Sequence, residues 1–255
     1  MLDLMTPGAD HTLFPSPATG GATRPGPGAR LRRLLSPRCL LCATAAGDPL
    51  CTGCNDSFFP ANVHRCRVCA QRLGPASGDL CGACLRHPPA FDTTLALADY
   101  ATPVDGVVVG LKFGHRLDLA HALGRLLGAA IARALPPAAL VPVPLAHERQ
   151  RSRGFNQARE IALVAARIAG RPLLTDVLAR AHHRAPQEGL DLDARRRNVR
   201  GAFVVPAAAQ PRLAGQAVIV VDDVMTSGST LDEVARVLKR AGAAQVFNAI
   251  VARTP

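Results

Sequence analysis

The hydrophobic positions of this chain fall into short blocks cut apart by proline and glycine. From Leu117 to Leu135 the positions Leu119/Ala120, Leu123, Leu126/Leu127, Ala130/Ile131 and Ala134 recur at helical spacing, and Pro136-Pro137 ends the run. The stretch ALVPVPL (Ala139–Leu145) predicts a short buried strand that leaves through a proline-shaped loop. Helical period returns over Gln157–Ala169, with Ala158, Ile161/Ala162, Ala165 and Ile168/Ala169 on one face and Gly170 and Pro172 closing it. PLLTDVLAR (Pro172–Arg180) is compatible with a further strand, and Leu192–Val199 is short, polar and arginine-rich. Ala217–Val221 predicts a buried strand. Leu231, Val234/Ala235, Leu238 and Ala241 then predict a helix that stops at Gly242, and QVFNAIVAR (Gln245–Arg253) predicts the last strand. Strands alternating with helices imply an α/β fold: a parallel sheet flanked by helices on both faces.

The first third lacks this patterning. Residues 1–30 are rich in Pro, Gly, Thr and Ala and read as a disordered leader. All eight cysteines lie between Cys39 and Cys84, as four C-x-x-C pairs: Cys39/Cys42, Cys51/Cys54, Cys66/Cys69 and Cys81/Cys84. A two-residue gap lets both sulfurs of a tight turn point at one tetrahedral ion, and two such turns complete a four-sulfur shell. Eight sulfurs therefore predict two structural Zn2+ sites. Sequential and interleaved pairings are both open, and the short gap between Cys42 and Cys51 favours the sequential one. Disulfides are the rival reading. The chain opens without a basic segment and apolar run of the export type, so a reducing, cytoplasmic setting is expected. His64 and His87 read as bystanders, since each four-cysteine set is already complete. A small module over residues 36–90 substitutes metal for a core, leaving 91–255 as a second domain. Arg65, Arg67, Arg72 and Arg86, among the ligands, read as surface charges or as nucleic-acid contacts.

Charge adds a constraint. Thirty Lys+Arg against nineteen Asp+Glu give a net charge of +11. Nine basic and six acidic residues lie in the stretch that ends at Asp92, and twenty-one and thirteen follow it, so most of the excess sits in the second part. A basic surface suits an anionic ligand or nucleic acid, and solvated arginines are the plainer explanation. No window of about 18 uncharged apolar residues occurs, so no membrane insertion is expected. Aromatic residues make up 4% of the chain, which argues against a base-stacking platform for single-stranded DNA.

The densest chemistry lies in VIVVDDVMTSGST (Val218–Thr230). A buried strand runs into Asp222 and Asp223, followed by Thr226, Ser227, Gly228, Ser229 and Thr230 at the start of a helix. In open α/β sheets, ligands bind beyond the carboxyl ends of the strands. Backbone N–H groups and hydroxyls at a helix N-terminus make an anion cradle, and Gly228 permits close approach. Carboxylates accept hydrogen bonds from vicinal hydroxyls. A phosphate and a diol held a few ångströms apart describe a ribose 5-phosphate. The other common phosphate loops, G-x-x-x-x-G-K-[ST] and G-x-G-x-x-G, do not follow a strand here.

This stretch resembles the phosphoribosyl pyrophosphate (PRPP) signature of the type I phosphoribosyltransferases. RSRGFNQA (Arg151–Ala158), LKFGHR (Leu111–Arg116), APQEGLDLDARRRNVRGAF (Ala185–Phe203) and the cysteine-rich module are similar to the ComF competence branch of that family. The resemblance covers about Ser36 to Arg253. It implies a type I phosphoribosyltransferase fold behind a double zinc ribbon. It also implies transfer of ribose 5-phosphate from PRPP, with Mg2+, to a nitrogen nucleophile, releasing pyrophosphate. Asp222 and Asp223 match the acidic pair that holds the ribose hydroxyls, and proximity nominates either as the base. Thr226–Thr230 match the 5-phosphate loop. Val143–Leu145 match the loop that faces pyrophosphate, which Arg151 and Arg153 are suited to neutralise. Arg195–Arg197, with His182 and His183, fall in a flap, and Lys112 in a variable hood that contacts the acceptor. The acceptor is not named by the sequence. The competing reading is a non-catalytic adaptor for single-stranded DNA, or a partner of competence proteins, on the same fold.

Overall fold

The computed structural model describes residues 38–181 and 199–255. The leader, His182, His183 and Arg195–Arg197 lie outside the described residues. Two short helices, α1 (Thr52–Phe58) and α2 (Gly82–Arg86), belong to the cysteine-rich module. Then come β1 (Thr93–Asp99), α3 (Val104–Phe113), α4 (Leu117–Ala134), β2 (Ala139–Pro142), α5 (His147–Arg153) and α6 (Gln157–Ala169). A small antiparallel pair, β3 (Ala179–Arg180) and β4 (Phe203–Val204), precedes α7 (Gln210–Leu213). β5 (Ala217–Met225), α8 (Ser229–Arg240) and β6 (Gln245–Arg253) complete the chain.

The main sheet is parallel, with strand order β1-β6-β5-β2. Alternation along its two central strands sorts the core into two layers. Ile219 and Val221 of β5 join Phe247, Ala249 and Val251 of β6 beneath α3, α4 and α6. Val218, Val220, Val246 and Ile250 point to the other face and pack with Leu231, Val234 and Leu238 of α8. Both strands are buried on both faces, which is why they read as continuous apolar runs. The contact between α4 and α6 depends on bare backbone: a Cβ on Gly124 would lie 2.6 Å from Val164 Cβ, and one on Gly128 2.7 Å from the Ala165 carbonyl.

The structure departs from the sequence expectations in four places. The strand expected over Ala139–Leu145 ends at Pro142, although the Val143 N–H still donates to the Val221 carbonyl (3.0 Å). Pro172–Arg180 forms strand only at Ala179–Arg180, because Leu140 takes the backbone of the Pro172–Leu174 segment into isolated pairing. β5 runs on to Met225, so Asp222 and Asp223 sit inside the strand and not beyond its end. β1, α3 and α5 have no counterpart among the expected elements: β1 mixes buried with half-buried positions and α5 buries none, whereas α3 buries Val104, Val107, Val108 and Leu111 at a helical spacing that the sequence carries.

The two cysteine sets of the module meet opposite layers. Cys39, Leu50, Cys54 and Phe59 join the core under α4 and α6, while Cys66, Cys69 and Cys84 join the core that holds Met225 and Leu231.

Candidate functional site

The cysteines assemble sequentially. Cys39, Cys42, Cys51 and Cys54 form one tetrad and Cys66, Cys69, Cys81 and Cys84 the other, with all ligand atoms of each set within 4.8 Å of one another. His64 and His87 belong to neither, and His64 Nδ1 lies 3.2 Å from the Gly74 carbonyl. Sulfurs are approached by backbone donors: the Cys81 N–H donates to Cys66 Sγ (3.3 Å) and the Cys84 N–H to Cys81 Sγ (3.5 Å). Burial pushes the Cys66 thiol up, but the backbone donors of Cys69 and Cys81 outweigh it and bring it to about 7. At Cys42 the Thr44 hydroxyl, then its backbone, brings the thiol down to about 6. Burial pushes the Cys54, Cys69 and Cys84 thiols up, so the donors act on part of each set. Four converging sulfurs fit a tetrahedral structural zinc in each tetrad, with no position left over for a substrate.

The second candidate site lies at the carboxyl end of β5. Asp222 and Asp223 each accept the N–H that follows, from Asp223 (2.9 Å) and Val224 (2.7 Å). Asp223 is 4% exposed, and its Oδ2 receives no well-aligned hydrogen bond although the Lys112 ammonium stands 3.0 Å away. Loss of water, and then the negative charge of Asp223, pushes the Asp222 carboxyl up to about 8. The turn after the pair is an open cradle. Gly228 sits at φ 81°, in the left-handed region, as N-cap of α8 with no side-chain cap. Ser227 Oγ lies 2.9 Å from Ser229 Oγ and accepts the Ser229 N–H at 3.4 Å. Thr226 is exposed, and Ser227, Ser229 and Thr230 are half-buried. Leading N–H groups of α8 are thus available for an anion.

Around this pair the structure gathers residues from distant segments. An open pocket of about 600 Å³ is lined by Tyr100, Lys112, Phe113, His115, Arg149 and Arg153 among others. Arg153 is half-buried, stacks its guanidinium 4.8 Å from the Phe113 ring centre and donates to Gln157 Oε1 (3.3 Å). Burial pushes Arg153 down from its ordinary value; the charge of Asp223 opposes that and Arg149 adds to it. Arg151, two residues away on α5, is exposed and does not line the pocket. Of the two arginines expected here, only Arg153 arrives. The Gly154–Gln157 stretch explains why. Gly154 ends α5 in the left-handed region (φ 75°), and Asn156 caps α6, accepting from the Ala158 and Arg159 N–H groups. The Asn156 Nδ2 also donates to the Val143 carbonyl (2.9 Å), fixing the loop after β2.

Three groups of contributors are not foreseen by the sequence. Arg149 lies on α5 with Arg153, four residues earlier, a spacing that puts both on one face. Tyr100 carries no signal beyond its type, and Phe113 lies within the LKFGHR motif, which gave it no role of its own. Arg253 has one: it is a charged end to an otherwise apolar strand. It is 8% exposed, and its guanidinium donates to the carbonyls of Cys69 (3.0 Å), Met225 (3.2 Å), Thr226 (2.6 Å) and Thr254 (2.6 Å). One side chain thereby ties the second cysteine tetrad to the start of the anion cradle.

Residues 128–255 match the phosphoribosyl transferase domain family, and residues 30–85 match the double zinc ribbon domain family. With the parallel sheet and the two tetrads, these matches define a type I phosphoribosyltransferase fold that carries a double zinc ribbon. Competence protein F of Haemophilus influenzae is 32% identical over 220 residues, covering 82% of this chain and 93% of that protein. DNA utilization protein YhgH of Escherichia coli K12 is 36% identical over 65% of this chain and 74% of its own length. The Salmonella typhi protein of the same name is 36% identical over 72% and 82%. The chain belongs to the ComF family.

Proposed function

We propose that this protein binds PRPP, as its magnesium complex, and transfers the ribose 5-phosphate to a nucleophile with release of pyrophosphate, in a process linked to DNA uptake or use. The observation that carries the reading is the meeting of a buried, under-satisfied Asp223 with an uncapped helix N-terminus at one strand end. In this reading Asp222 and Asp223 accept the ribose hydroxyls and Thr226, Ser227, Gly228, Ser229 and Thr230 hold the 5-phosphate. Arg153, with Arg149, faces the pyrophosphate and stabilises charge as it leaves. Arg151 is retained only as a surface charge that strengthens the local field. The link to DNA rests on the names of the relatives, competence protein F and DNA utilization protein YhgH. The proposed organisation is a ribbon module over residues 36–90 and a phosphoribosyltransferase domain over 91–255, in a cytoplasmic protein.

The test is calorimetric titration with PRPP and with ribose 5-phosphate, magnesium present. Replacing both aspartates by asparagine should weaken PRPP at least about tenfold, since the hydrogen bond to the charged Asp223 alone contributes roughly 1.5–3 kcal/mol. Gly228→Val should weaken ribose 5-phosphate, because a Cβ there would lie 2.5 Å from Met225 Cε at a φ of +81°. If the wild type binds neither ligand at millimolar concentration, the transferase reading fails. The alternative, an adaptor for single-stranded DNA, is favoured by the net charge of +11 and by the relatives' names, and would then take its place.

A further inference from the structure

The two tetrads repeat one arrangement with opposite access to solvent. In each, the second sulfur of one C-x-x-C turn faces the first sulfur of the next. Cys42 Sγ lies 3.6 Å from Cys51 Sγ, and Cys69 Sγ lies 3.6 Å from Cys81 Sγ. Cys51 and Cys81 are both half-buried, so they do not distinguish the sets. Cys42 and Cys69 do. Cys42 is exposed, and so are the small residues that follow it, Ala43, Thr44 and Ala45. Cys69 is 8% exposed and belongs to the core that holds Met225 and Leu231, and its carbonyl accepts from the Arg253 guanidinium at 3.0 Å. The other two sulfurs of the first set, on Cys39 and Cys54, are buried. One adjacent pair of sulfurs, Cys42 with Cys51, is therefore open to a reagent from solvent, and its counterpart in the second set is covered.

We infer that Cys42 and Cys51 form a redox-modification site: a hydroperoxide converts this pair to a disulfide, and the first tetrad gives up its metal while the second keeps its own. The inference stands apart from the transferase reading. Metal-ligating sulfurs are thiolates, and among thiolates oxidation follows exposure. The Cys42 thiolate attacks the terminal oxygen of the hydroperoxide. The O–O bond breaks, its electron pair leaves on the other oxygen, and that oxygen takes a proton from water to give an alcohol. Cys42 is then a sulfenic acid. The Cys51 thiolate attacks the Cys42 sulfur, the S–S bond forms, and hydroxide leaves. The two thiolates have together lost two electrons, and the O–O bond has taken them. The sulfurs have only to close from 3.6 Å to about 2 Å. Cys39 and Cys54 remain, and two sulfurs do not complete a tetrahedral shell. Leu50 and Phe59 stay in the core beneath α4, so the oxidised ribbon keeps an apolar attachment from which it can be rebuilt. A thiol reverses the disulfide by exchange.

The test treats zinc-loaded full-length protein with hydrogen peroxide and, separately, with the bulkier cumene hydroperoxide, while a chromogenic chelator reports zinc against an untreated control. One equivalent should be released at least about tenfold faster than the other with both oxidants, because access decides the order. When the first equivalent has left, the remaining thiols are alkylated and the peptides mapped by mass. A Cys42–Cys51 disulfide is expected, with Cys66, Cys69, Cys81 and Cys84 all alkylated. The melting temperature should fall at that stage, and dithiothreitol with added zinc should restore both the metal count and the melting temperature. Release of the two equivalents at the same rate, earlier oxidation of the second tetrad, or a first disulfide that omits Cys42 or Cys51 overturns the assignment. So does retention of both zincs at a peroxide dose that fully oxidises glutathione, or a first loss that dithiothreitol and zinc do not reverse.

Discussion

The two cysteine tetrads have the same ligands and the same spacing within each pair, yet they join the rest of the molecule by different means. The first ribbon meets the domain mainly through apolar packing, with Leu50 and Phe59 in the core beneath α4. Its ion pair with the domain, Asp48 to Arg125 at 3.1 Å, is well exposed on both sides (44% and 37%). The second packs Cys66, Cys69 and Cys84 into the opposite core and adds oriented polar contacts. Arg253 spans from the Cys69 carbonyl to those of Met225 and Thr226, Arg65 pairs with Asp99 at 2.6 Å, and the Ala90 N–H donates to Asp232 at 2.7 Å on α8. Apolar packing is non-directional and tolerates small shifts, whereas a guanidinium shared among carbonyls fixes each of them. Both ribbons therefore cover a face of the domain, and the second is also tied through Arg253 to the turn before α8.

The largest expected effect comes from dismantling each tetrad in turn. Cys81→Ser and Cys51→Ser should each cost one zinc of two by elemental analysis. Cys81→Ser should also weaken ribose 5-phosphate at least about tenfold, through loss of a hydrogen bond network to charged Arg253. Cys51→Ser should lower the melting temperature while leaving that affinity within about twofold of wild type. Equal losses of affinity in the two variants would erase the distinction. Next in size is Arg253→Met, which should keep both zincs. It leaves buried carbonyls without a donor and should cost about 3 kcal/mol in stability. Amide hydrogen exchange should quicken over residues 226–230 more than in the first ribbon; uniform quickening would mean that Arg253 is a general staple and not a link to the cradle.

Much of the second ribbon's role was out of reach of the sequence, for reasons visible in particular residues. The tetrads were legible because a C-x-x-C turn is local and its partner lies nearby. The strand-turn-helix at Val218–Thr230 was legible for the same reason: β5, the acidic pair, Gly228 and the start of α8 are consecutive. Helix Gln157–Ala169 was legible to the residue because Asn156 caps it and Gly170 ends it, both signals written in the chain. The partners of Asp223 were not legible. Lys112 lies far upstream in the chain, and no periodicity reports which lysine a fold will turn inward. Arg253 is separated from Cys69 by 184 residues and meets it only because β6 pairs with β5 and the ribbon folds back against their ends. Arg151 and Arg153 look alike in sequence. The register of α5 exposes the first and turns the second onto Phe113, and that register is set by the cap at Gly154 and not by the arginines.

Two smaller effects sharpen the contrast between the ribbons. Arg65→Met removes the partner of Asp99 at a joint where the two side chains are only 12% and 20% exposed, so a loss of about 1–2 kcal/mol in thermal or denaturant unfolding is expected. Arg72, also paired with Asp99 but 56% exposed on its own side, keeps part of the interaction in that variant, which is why the loss stays below that of Arg253→Met. The smallest change is Arg125→Ala in the first ribbon's joint. Solvent screens both members of the Asp48 pair, and exposed pairs contribute about 0–1 kcal/mol. Its unfolding midpoint should stay close to wild type and become independent of salt where the wild type's weak salt dependence came from this pair. An Arg125→Ala variant that lost as much stability as Arg65→Met would show that polar contacts carry the first ribbon too. The two tetrads would then differ in position alone, and the assignment of the cradle to the second would rest on Arg253 by itself.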